Sequence, residues 1–299
     1  MRAVVTGGSG FVAGWLLRHL EEAGDHVVVA DDSVDITDAA AIGRLVREAA
    51  PDAIYHLAAF THVGRSWEEP REVFRVNAGG TLELIQAALS CDPLPRVLLV
   101  GSAEVYGTVR PEQLPLTEEA PLRPVSPYAA SKVAAEFLGL QAHLGHGLPV
   151  IRVRAFNHIG PGQHPSFVVP AFARRITEAR ARGDRVLPVG NLTPRRDFTD
   201  VRDVVRAYRL LVERGRAGEA YNVCSGRAVS IEEVARRMLG LAGADLELVA
   251  DPELVRPVDV PVLLGDPAKL RAATGWEPDV GIDRSLAEVL EEAAVPRGG

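Results

Sequence analysis

The sequence predicts an α/β protein with a doubly wound parallel sheet and a smaller C-terminal α/β domain. Short, near-continuous apolar strands alternate with segments of helical spacing, as in residues 2–6 followed by 11–23. This alternation is typical of parallel sheets that are covered by helices on both faces. With 299 residues, of which 47% are hydrophobic, the chain is long enough for a large and a small domain that share a cleft.

A glycine turn, Gly7-Gly8-Ser9-Gly10, joins the first predicted strand to the first helix. Gly7 and Gly10 allow the backbone to approach a diphosphate group. The amides of Phe11 and Val12 then begin a helix whose positive dipole end attracts anions. Strand, glycine turn and helix in this order predict a dinucleotide site.

The next two strands end in residues that suit the same ligand. The second strand, residues 26–30, is followed by Asp31, which can accept hydrogen bonds from a ribose 2′-hydroxyl and repels a 2′-phosphate. Asp31 therefore favours NAD over NADP, although NADP stays possible. The third strand closes in Leu57-Ala58-Ala59, where small side chains let the backbone lie against a flat ligand.

The fourth strand, residues 96–100, is followed directly by Ser102 and Glu104. Ligands of such sheets bind beyond the carboxyl ends of the strands, so both side chains are expected in the cleft. Ser102 is a candidate donor to a substrate oxygen. Glu104 is a candidate base, a positioning group or the partner of an ion pair, and the sequence leaves these three roles open.

Tyr128 and Lys132 are the strongest candidates for proton transfer. They are four residues apart in a segment of helical spacing, residues 128–143, so both side chains are expected on one face. A neighbouring ammonium group favours the phenolate and is expected to lower the pKa of Tyr128 toward neutrality. Tyr128 could then exchange a proton with a substrate hydroxyl or carbonyl.

Charge and cysteine usage exclude several classes of protein. There are 33 Lys and Arg against 40 Asp and Glu, a net charge of -7, and no basic block, so neither nucleic acid nor a membrane surface is an expected partner. Cys91 and Cys224 fit neither a disulfide framework nor a metal site. We therefore expect no bound metal. We also expect a cytoplasmic protein, because no signal peptide or membrane span is apparent.

The glycine turn, Leu57-Ala58-Ala59, Asn77, Ser102 and the Tyr128/Lys132 pair occur in an order that resembles the extended short-chain dehydrogenase/reductase family, which acts on nucleotide sugars. The resemblance covers essentially the whole chain. It implies a Rossmann NAD(P)-binding domain over residues 1–155, joined by parts of 195–225, and a nucleotide-sugar-binding domain over 156–194 and 226–299. One departure is Ala13, which stands at the third glycine position of the family turn.

The resemblance also implies roles for individual residues. Tyr128 would be the acid/base, Lys132 its pKa modulator and a ribose ligand, and Ser102 the donor that positions the reacting oxygen. A nicotinamide would carry the hydride. The cofactor would further contact a set of residues near its adenosine, its diphosphate and its nicotinamide end: Asp31, Asp35, Ile36, Leu57, Ala58, Ala59 and Asn77.

The second half of the chain is expected to hold the sugar nucleotide. By the resemblance Asn157 contacts it. Val168, where a helix begins, is a further candidate for binding the substrate, together with Ser102 and Glu104. Arginine forks suit two phosphates better than lysines do, and Arg196 and Arg256 are the candidates for that clamp. The resemblance also implies a homodimer, formed through helices at residues 78–89 and 128–143.

The C-terminal blocks most resemble GDP-4-keto-6-deoxy-mannose reductases and, less closely, GDP-mannose 4,6-dehydratases. The first hypothesis is therefore NAD(P)H-dependent reduction of the C4 ketone of a nucleotide-linked 4-keto-6-deoxy sugar. Ala103 stands where dTDP-glucose-type dehydratases have a proton-donating aspartate, which counts against that chemistry. A nucleotide-sugar 4-epimerase, a GDP-mannose 4,6-dehydratase and a non-catalytic dinucleotide-binding protein stay open.

Overall fold

The computed structural model describes residues 1–254 and 260–295. Its strands, in chain order, are β1 (Arg2–Thr6), β2 (His26–Ala30), β3 (Ala53–His56), β4 (Arg96–Val100), β5 (Val150–Ala155), β6 (Asn157–Ile159), β7 (Val186–Val189), β8 (Arg195–Asp200), β9 (Ala220–Val223), β10 (Ala228–Ser230), β11 (Glu247–Ala250) and β12 (Val262–Leu263). Its α-helices are α1 (Phe11–Glu22), α2 (Ala39–Ala49), α3 (Pro70–Phe74), α4 (Gly80–Leu89), α5 (Pro127–His146), α6 (Val168–Arg182), α7 (Val201–Arg214), α8 (Ile231–Ala242), α9 (Ala268–Thr274) and α10 (Ile282–Ala294).

Six parallel strands form the main sheet, in the order β2-β1-β3-β4-β5-β9. Because side chains alternate along a strand, neighbouring residues enter different layers. In β1, for example, Val5 packs on the side of α1 and α7, while Val4 packs on the side of α2 and α4. The sheet therefore has helices on both faces, which confirms the predicted doubly wound fold.

A second hydrophobic core lies under the C-terminal elements. Strand β8 is paired with β6, β10 and β12, and β7 is paired with β11. Helices α6, α8 and α10 pack together there, with Phe172, Val234 and Leu286 buried between them.

The chain passes between the two cores more than once. After β8, helix α7 and strand β9 return to the main sheet, where α7 packs on α1. Leu270 and Trp276 also lie in the core of the main sheet. The sequence analysis assigned these two residues to the second domain, and their packing does not follow that assignment.

Local sequence explains where several helices begin. Asp38 accepts hydrogen bonds from the amides of Ala40 and Ala41, at 2.8 and 3.2 Å, and so caps α2. Ser230 and Glu233 form a reciprocal capping box at the start of α8. Residues 70–89 form α3, a π-helical turn over Arg75–Gly79, and α4.

Candidate active site

A cavity of about 570 Å³ lies at the carboxyl ends of the main-sheet strands. Its walls come from the glycine turn, the residues after β3 and β4, the start of α5, and the segment between β5 and α6. Of the residues assigned by sequence, those at its wall are Gly7, Gly10, Phe11, Val12, Leu57, Ala58, Ala59, Ser102, Glu104, Tyr128, Lys132 and Asn157. The fold thus brings together groups that are up to 150 residues apart in the chain.

The glycine turn is shaped for a close approach of backbone and ligand. Gly7 has a φ of +72°, and a Cβ atom there would lie 2.8 Å from the backbone of Ala58. Gly10, the residue before α1, has no side chain that could cap the helix. The first backbone N–H groups of α1 are therefore available to another hydrogen-bond acceptor. An anion such as a dinucleotide diphosphate fits this helix end.

The end of β2 differs in detail from the prediction. Asp31 accepts hydrogen bonds from the amide and hydroxyl of Ser33, at 3.0 and 2.6 Å, which turn its carboxylate into its own loop. Asp32, which was not among the predicted site residues, is the acidic residue after β2 that lies at the cavity wall. Asp35 is likewise engaged locally, by the amide and hydroxyl of Thr37 at 2.9 and 2.8 Å. Ile36 is buried.

Ser102 and Tyr128 lie next to each other at the cavity wall. Ser102 follows β4 and accepts a hydrogen bond from the amide of Glu104 at 3.2 Å, which places its hydroxyl at the strand end. Tyr128 lies in the first turn of α5, which begins at Pro127 after the cap residue Ser126. Both residues line the cavity, and Ser102 is close enough to lower the pKa of the Tyr128 hydroxyl.

The pKa of Tyr128 does not move in the expected direction. Burial raises it to about 12, the hydrogen bond with Ser102 lowers it in part, and the carboxylate of Glu104 raises it. Lys132 is not among the groups that shift it, so the predicted lowering toward neutrality was wrong for this arrangement. The reason is burial, because an apolar environment disfavours the phenolate. At neutral pH Tyr128 carries its proton.

Lys132 is buried one helical turn beyond Tyr128. Its ammonium group donates a hydrogen bond to the carbonyl oxygen of Val100 at 2.9 Å. Burial lowers the pKa of Lys132 to about 8. The lysine therefore faces the cavity as a cation with little surrounding water at neutral pH.

A buried ion pair fixes α5 against β5. Glu136, four residues after Lys132, pairs with Arg152 at 3.0 Å and with Arg154 at 2.7 Å. Arg154 also donates to the hydroxyl of Tyr106 at 3.0 Å. These contacts hold the helix that carries Tyr128 at a fixed distance from the strand ends.

Asn77 lies in the π-helical turn and is buried away from the cavity wall. Its side-chain oxygen accepts from the amide of Phe60 at 2.7 Å. Its side-chain nitrogen donates to the carbonyl of Phe60 and to the hydroxyl of Ser131, at 3.1 and 2.9 Å. Asn77 thereby ties the segment after β3 to α5 and so positions the site, while its contact with the cofactor stays a prediction.

The residues assigned to the substrate are spread more widely than expected. Asn157 reaches the cavity, and Val168 begins α6 beside Phe167, which lines it. Arg196 lies on β8 and donates to the carbonyl oxygen of Val260 at 2.6 Å. Arg256 lies outside the described residues. Arg202 pairs with Asp200 and with Glu288, at 2.8 and 2.7 Å.

Other cavity residues were missed by the sequence analysis. They lie mainly between β5 and α6 or on distant elements: His158, Gln163, His164, Phe167, Tyr208 and Leu263. The ring of His158 stacks on that of Phe11 with 6.2 Å between the ring centroids. The sequence feature that could have indicated these residues is the run Gly160-Pro161-Gly162-Gln163. Its glycines are typical of backbone that lies close to a ligand or to another element.

The described residues contain neither a membrane-spanning helix nor a metal site. Over residues 1–254 and 260–295, no helix combines the length and the apolar character that crossing a membrane requires. The same residues contain no group of three His, Cys, Asp or Glu side chains arranged to hold a metal ion.

The glycine turn at a helix N-terminus and the Ser102, Tyr128 and Lys132 constellation define a dinucleotide-dependent oxidoreductase of the short-chain dehydrogenase/reductase class. Known proteins support this. The family model described as GDP-mannose 4,6 dehydratase matches residues 32–289. The chain belongs to this family, within the extended short-chain dehydrogenases/reductases, and it is an NAD(P)-dependent enzyme of nucleotide-sugar metabolism.

Three relatives are informative. A GDP-6-deoxy-D-mannose reductase from Pseudomonas aeruginosa is 38% identical over 97% of this chain and 96% of its own. The structure of RMD from Pseudomonas aeruginosa complexed with NADPH has a TM-score of 0.89 and 37% identity, covering 98% of this chain and 99% of that one. A Thermus thermophilus UDP-glucose 4-epimerase in complex with NAD has a TM-score of 0.88 and 29% identity, with the same coverage.

Proposed function

We propose that the protein reduces the C4 ketone of a nucleotide-linked 4-keto-6-deoxy sugar, with GDP-4-keto-6-deoxy-mannose as the first candidate. The observation that carries this proposal is the placement of Ser102, Tyr128 and Lys132 at the wall of the cavity that the glycine turn also lines, with burial keeping the proton on Tyr128. Reduction of a ketone needs an acid at the developing alkoxide, whereas oxidation of an alcohol needs a base. The similarity to a GDP-6-deoxy-D-mannose reductase supports the same direction.

The residues then have the following roles. A dinucleotide held by the glycine turn and Lys132 would supply the hydride chemistry. Tyr128 donates its proton to the carbonyl oxygen, and Ser102 donates a hydrogen bond to the same oxygen as negative charge develops on it. Lys132 supplies a buried positive charge at the cavity wall, where it would bind the ribose of the dinucleotide.

Glu104 and Ala103 bear on the alternative reactions. A dehydratase must remove a proton from C5 of the sugar, and Glu104 is at the cavity wall where it could do so. Ala103 has no proton to give to a leaving hydroxyl. A 4-epimerase needs neither group, because it oxidises and reduces C4 with one cofactor, so epimerisation is the second candidate, favoured by the similarity to a UDP-glucose 4-epimerase.

Turnover of the candidate substrate tests the proposal. The protein is incubated with GDP-4-keto-6-deoxy-mannose and NADH or NADPH, and the absorbance of the reduced nicotinamide is followed. We expect oxidation of the dinucleotide, and a loss of roughly 10²- to 10⁴-fold in Tyr128→Phe. Conversion of GDP-mannose without added reductant would instead indicate a dehydratase, and isomerisation of a nucleotide hexose without net redox change would indicate an epimerase. Equal activity of Tyr128→Phe and wild type would exclude all three.

We also propose that the protein is a homodimer formed through α4 and α5. Leu82 on α4 and Phe137 and Leu144 on α5 are large apolar side chains that are 38%, 51% and 75% exposed. Phe137 and Leu144 are seven residues apart and so share one helix face. Sedimentation at micromolar concentration should give a dimer, and Phe137→Glu should give a monomer.

We also propose that the protein works in the cytoplasm. Cys91 and Cys224 are free thiols, as is usual in a reducing compartment. Fractionation of cells tests the location.

Finally, we propose that Arg196 and Arg256 bind the diphosphate of the sugar nucleotide. Arg196→Gln and Arg256→Gln should each raise the KM for the sugar nucleotide without changing the affinity for the dinucleotide.

A further inference from the structure

Gln163 is a buried side chain with a polar atom that has no partner in the part of the chain described. Only 7% of the residue is exposed, and its oxygen Oε1 is buried without a hydrogen bond. Its nitrogen Nε2 donates to the carbonyl oxygen of His158 at 3.0 Å. Because that carbonyl only accepts hydrogen bonds, the amide cannot be turned the other way.

Burying an acceptor without a partner lowers the stability of the folded chain, and native proteins do so rarely. Gln163 lies at the wall of the cavity that also contains Gly10, Tyr128 and Asn157. A ligand in the cavity is therefore the natural source of the missing donor.

The loop that carries Gln163 is rigidly held against the first helix. The indole nitrogen of Trp15 donates to the carbonyl of Pro161 at 3.0 Å, and Glu292 accepts from the amide of Gly162 at 2.7 Å. A Cβ atom on Gly160 would lie 2.7 Å from the side chain of Val201, so the loop packs closely on α7 as well. Gln163 is thus oriented before any ligand arrives.

We propose that Oε1 of Gln163 accepts a hydrogen bond from a neutral donor of the bound dinucleotide, a nicotinamide carboxamide N–H or a ribose hydroxyl. Phosphate oxygens are excluded as partners, because they are acceptors themselves. The dinucleotide is favoured over the sugar nucleotide since the loop is fastened to α1 through Trp15, and Gly162 lies against Phe11, the first residue of that helix. The inference rests on dinucleotide binding and not on the proposed reductase reaction.

The test is the affinity for the dinucleotide in the absence of any sugar. Gln163→Leu keeps the side-chain volume and removes the acceptor, and it should weaken binding of NADH and NADPH about three- to tenfold in calorimetric titration. Ser166→Ala changes an exposed residue three positions later in the same segment, which does not line the cavity, and should leave the affinity unchanged. Since no turnover is measured, failure of this inference is distinct from failure of the proposed function.

Thermal unfolding separates a ligand contact from a structural role. Gln163→Leu and the more flexible Gln163→Met should both show a smaller increase in Tm on adding dinucleotide than the wild type does. The inference is overturned if the dinucleotide affinity of both variants matches wild type, including the case in which only the KM for the sugar nucleotide rises. It is equally overturned if the variants lose Tm without ligand but keep the full increase on binding.

An analogue identifies the donor. 3-Acetylpyridine adenine dinucleotide has a methyl group in place of the carboxamide NH₂. If the carboxamide is the donor, the analogue binds wild type more weakly than NAD does, and Gln163→Leu removes that difference. If a ribose hydroxyl is the donor, Gln163→Leu weakens NAD and the analogue by the same factor.

Discussion

Lys132 donates its hydrogen bond to the last carbonyl of β4, that of Val100, across 2.9 Å. This contact joins the second turn of α5 to the strand end from which Ser102 follows. It also places an ammonium group where burial lowers its pKa from 10.5 to about 8. Both the position and the charge of Lys132 therefore depend on packing.

The buried lysine should make folding stability rise with pH. Between pH 8 and 10.5 the unfolded chain binds more protons at this residue than the folded chain does, so the cost of burying the charge disappears as pH rises. From pH 8 to pH 10 the gain is about 2 kcal/mol. The raised pKa values of four buried tyrosines and of Cys224 act in the opposite direction and begin to do so below pH 10, so the contribution of the lysine is the difference between wild type and Lys132→Met. From pH 8 to pH 10 the free energy of unfolding, measured by urea denaturation, should change about 2 kcal/mol more favourably in wild type than in Lys132→Met. Equal changes in both would refute this prediction.

Loss of the buried ion pair on α5 should be costly. Glu136→Gln leaves the guanidinium of Arg154, which is 5% exposed, without its carboxylate, and we expect a loss of about 3–5 kcal/mol in free energy of unfolding. The matched control is Glu232→Gln, whose pair with Arg236 is exposed at 2.8 Å and should change stability by less than about 1 kcal/mol. Similar losses in the two variants, measured by urea denaturation, would show that burial of the pair is unimportant.

Two glycines near the first helix should respond oppositely to alanine. Gly7→Ala places a side chain at positive φ and against Ala58, so the turn must move and dinucleotide affinity should fall about tenfold or more. Gly14 lies inside α1 with open space where a Cβ would be, and Gly14→Ala should stabilise the protein by about 0.5–1 kcal/mol. Calorimetric titration and thermal unfolding measure the two effects, and a weakened affinity in Gly14→Ala alone would contradict this assignment.

The choice between NADH and NADPH should depend on Asp32 more than on Asp31. Asp32 is at the cavity wall, where its charge opposes a 2′-phosphate, while Asp31 is engaged by Ser33. Asp32→Asn should increase the affinity for NADPH relative to NADH by about tenfold, the size of one unfavourable charge contact near the surface. Asp31→Asn is the control and should shift the ratio less. A larger effect at Asp31, from the ratio of the two dissociation constants, would restore the assignment made from sequence.

Much of the main sheet and its catalytic residues could be predicted, since these depend on local patterns. The alternation of strands and helices predicts a parallel sheet. Because ligands bind beyond the carboxyl ends of such strands, Ser102 is expected in the cleft near Tyr128. The ionisation of Tyr128 could not be predicted, because it depends on burial by residues distant in the chain. Helical spacing brings Lys132 to the same face as Tyr128, but its charge is directed at Val100.

The part of the site beyond β5 was less predictable. Gln163 lies in a loop without periodicity, and its burial results from contacts with α1, α7 and α10 that no short segment encodes. The contacts of Asn77 were not predictable either, because the π-helical turn directs its amide to Phe60 and Ser131. Side-chain direction in an irregular turn is set by the tertiary packing around it.

The return of α7, β9 and Trp276 to the main sheet has a consequence for engineering. A chimaera that joins residues 1–155 to the C-terminal half of another family member would bring in foreign residues where the edge strand and the α1 partner belong. Sugar specificity should therefore be exchanged as three separate inserts, at 156–194, 226–254 and the segment around α10, grafted onto a recipient that keeps its own 201–223 and 268–276.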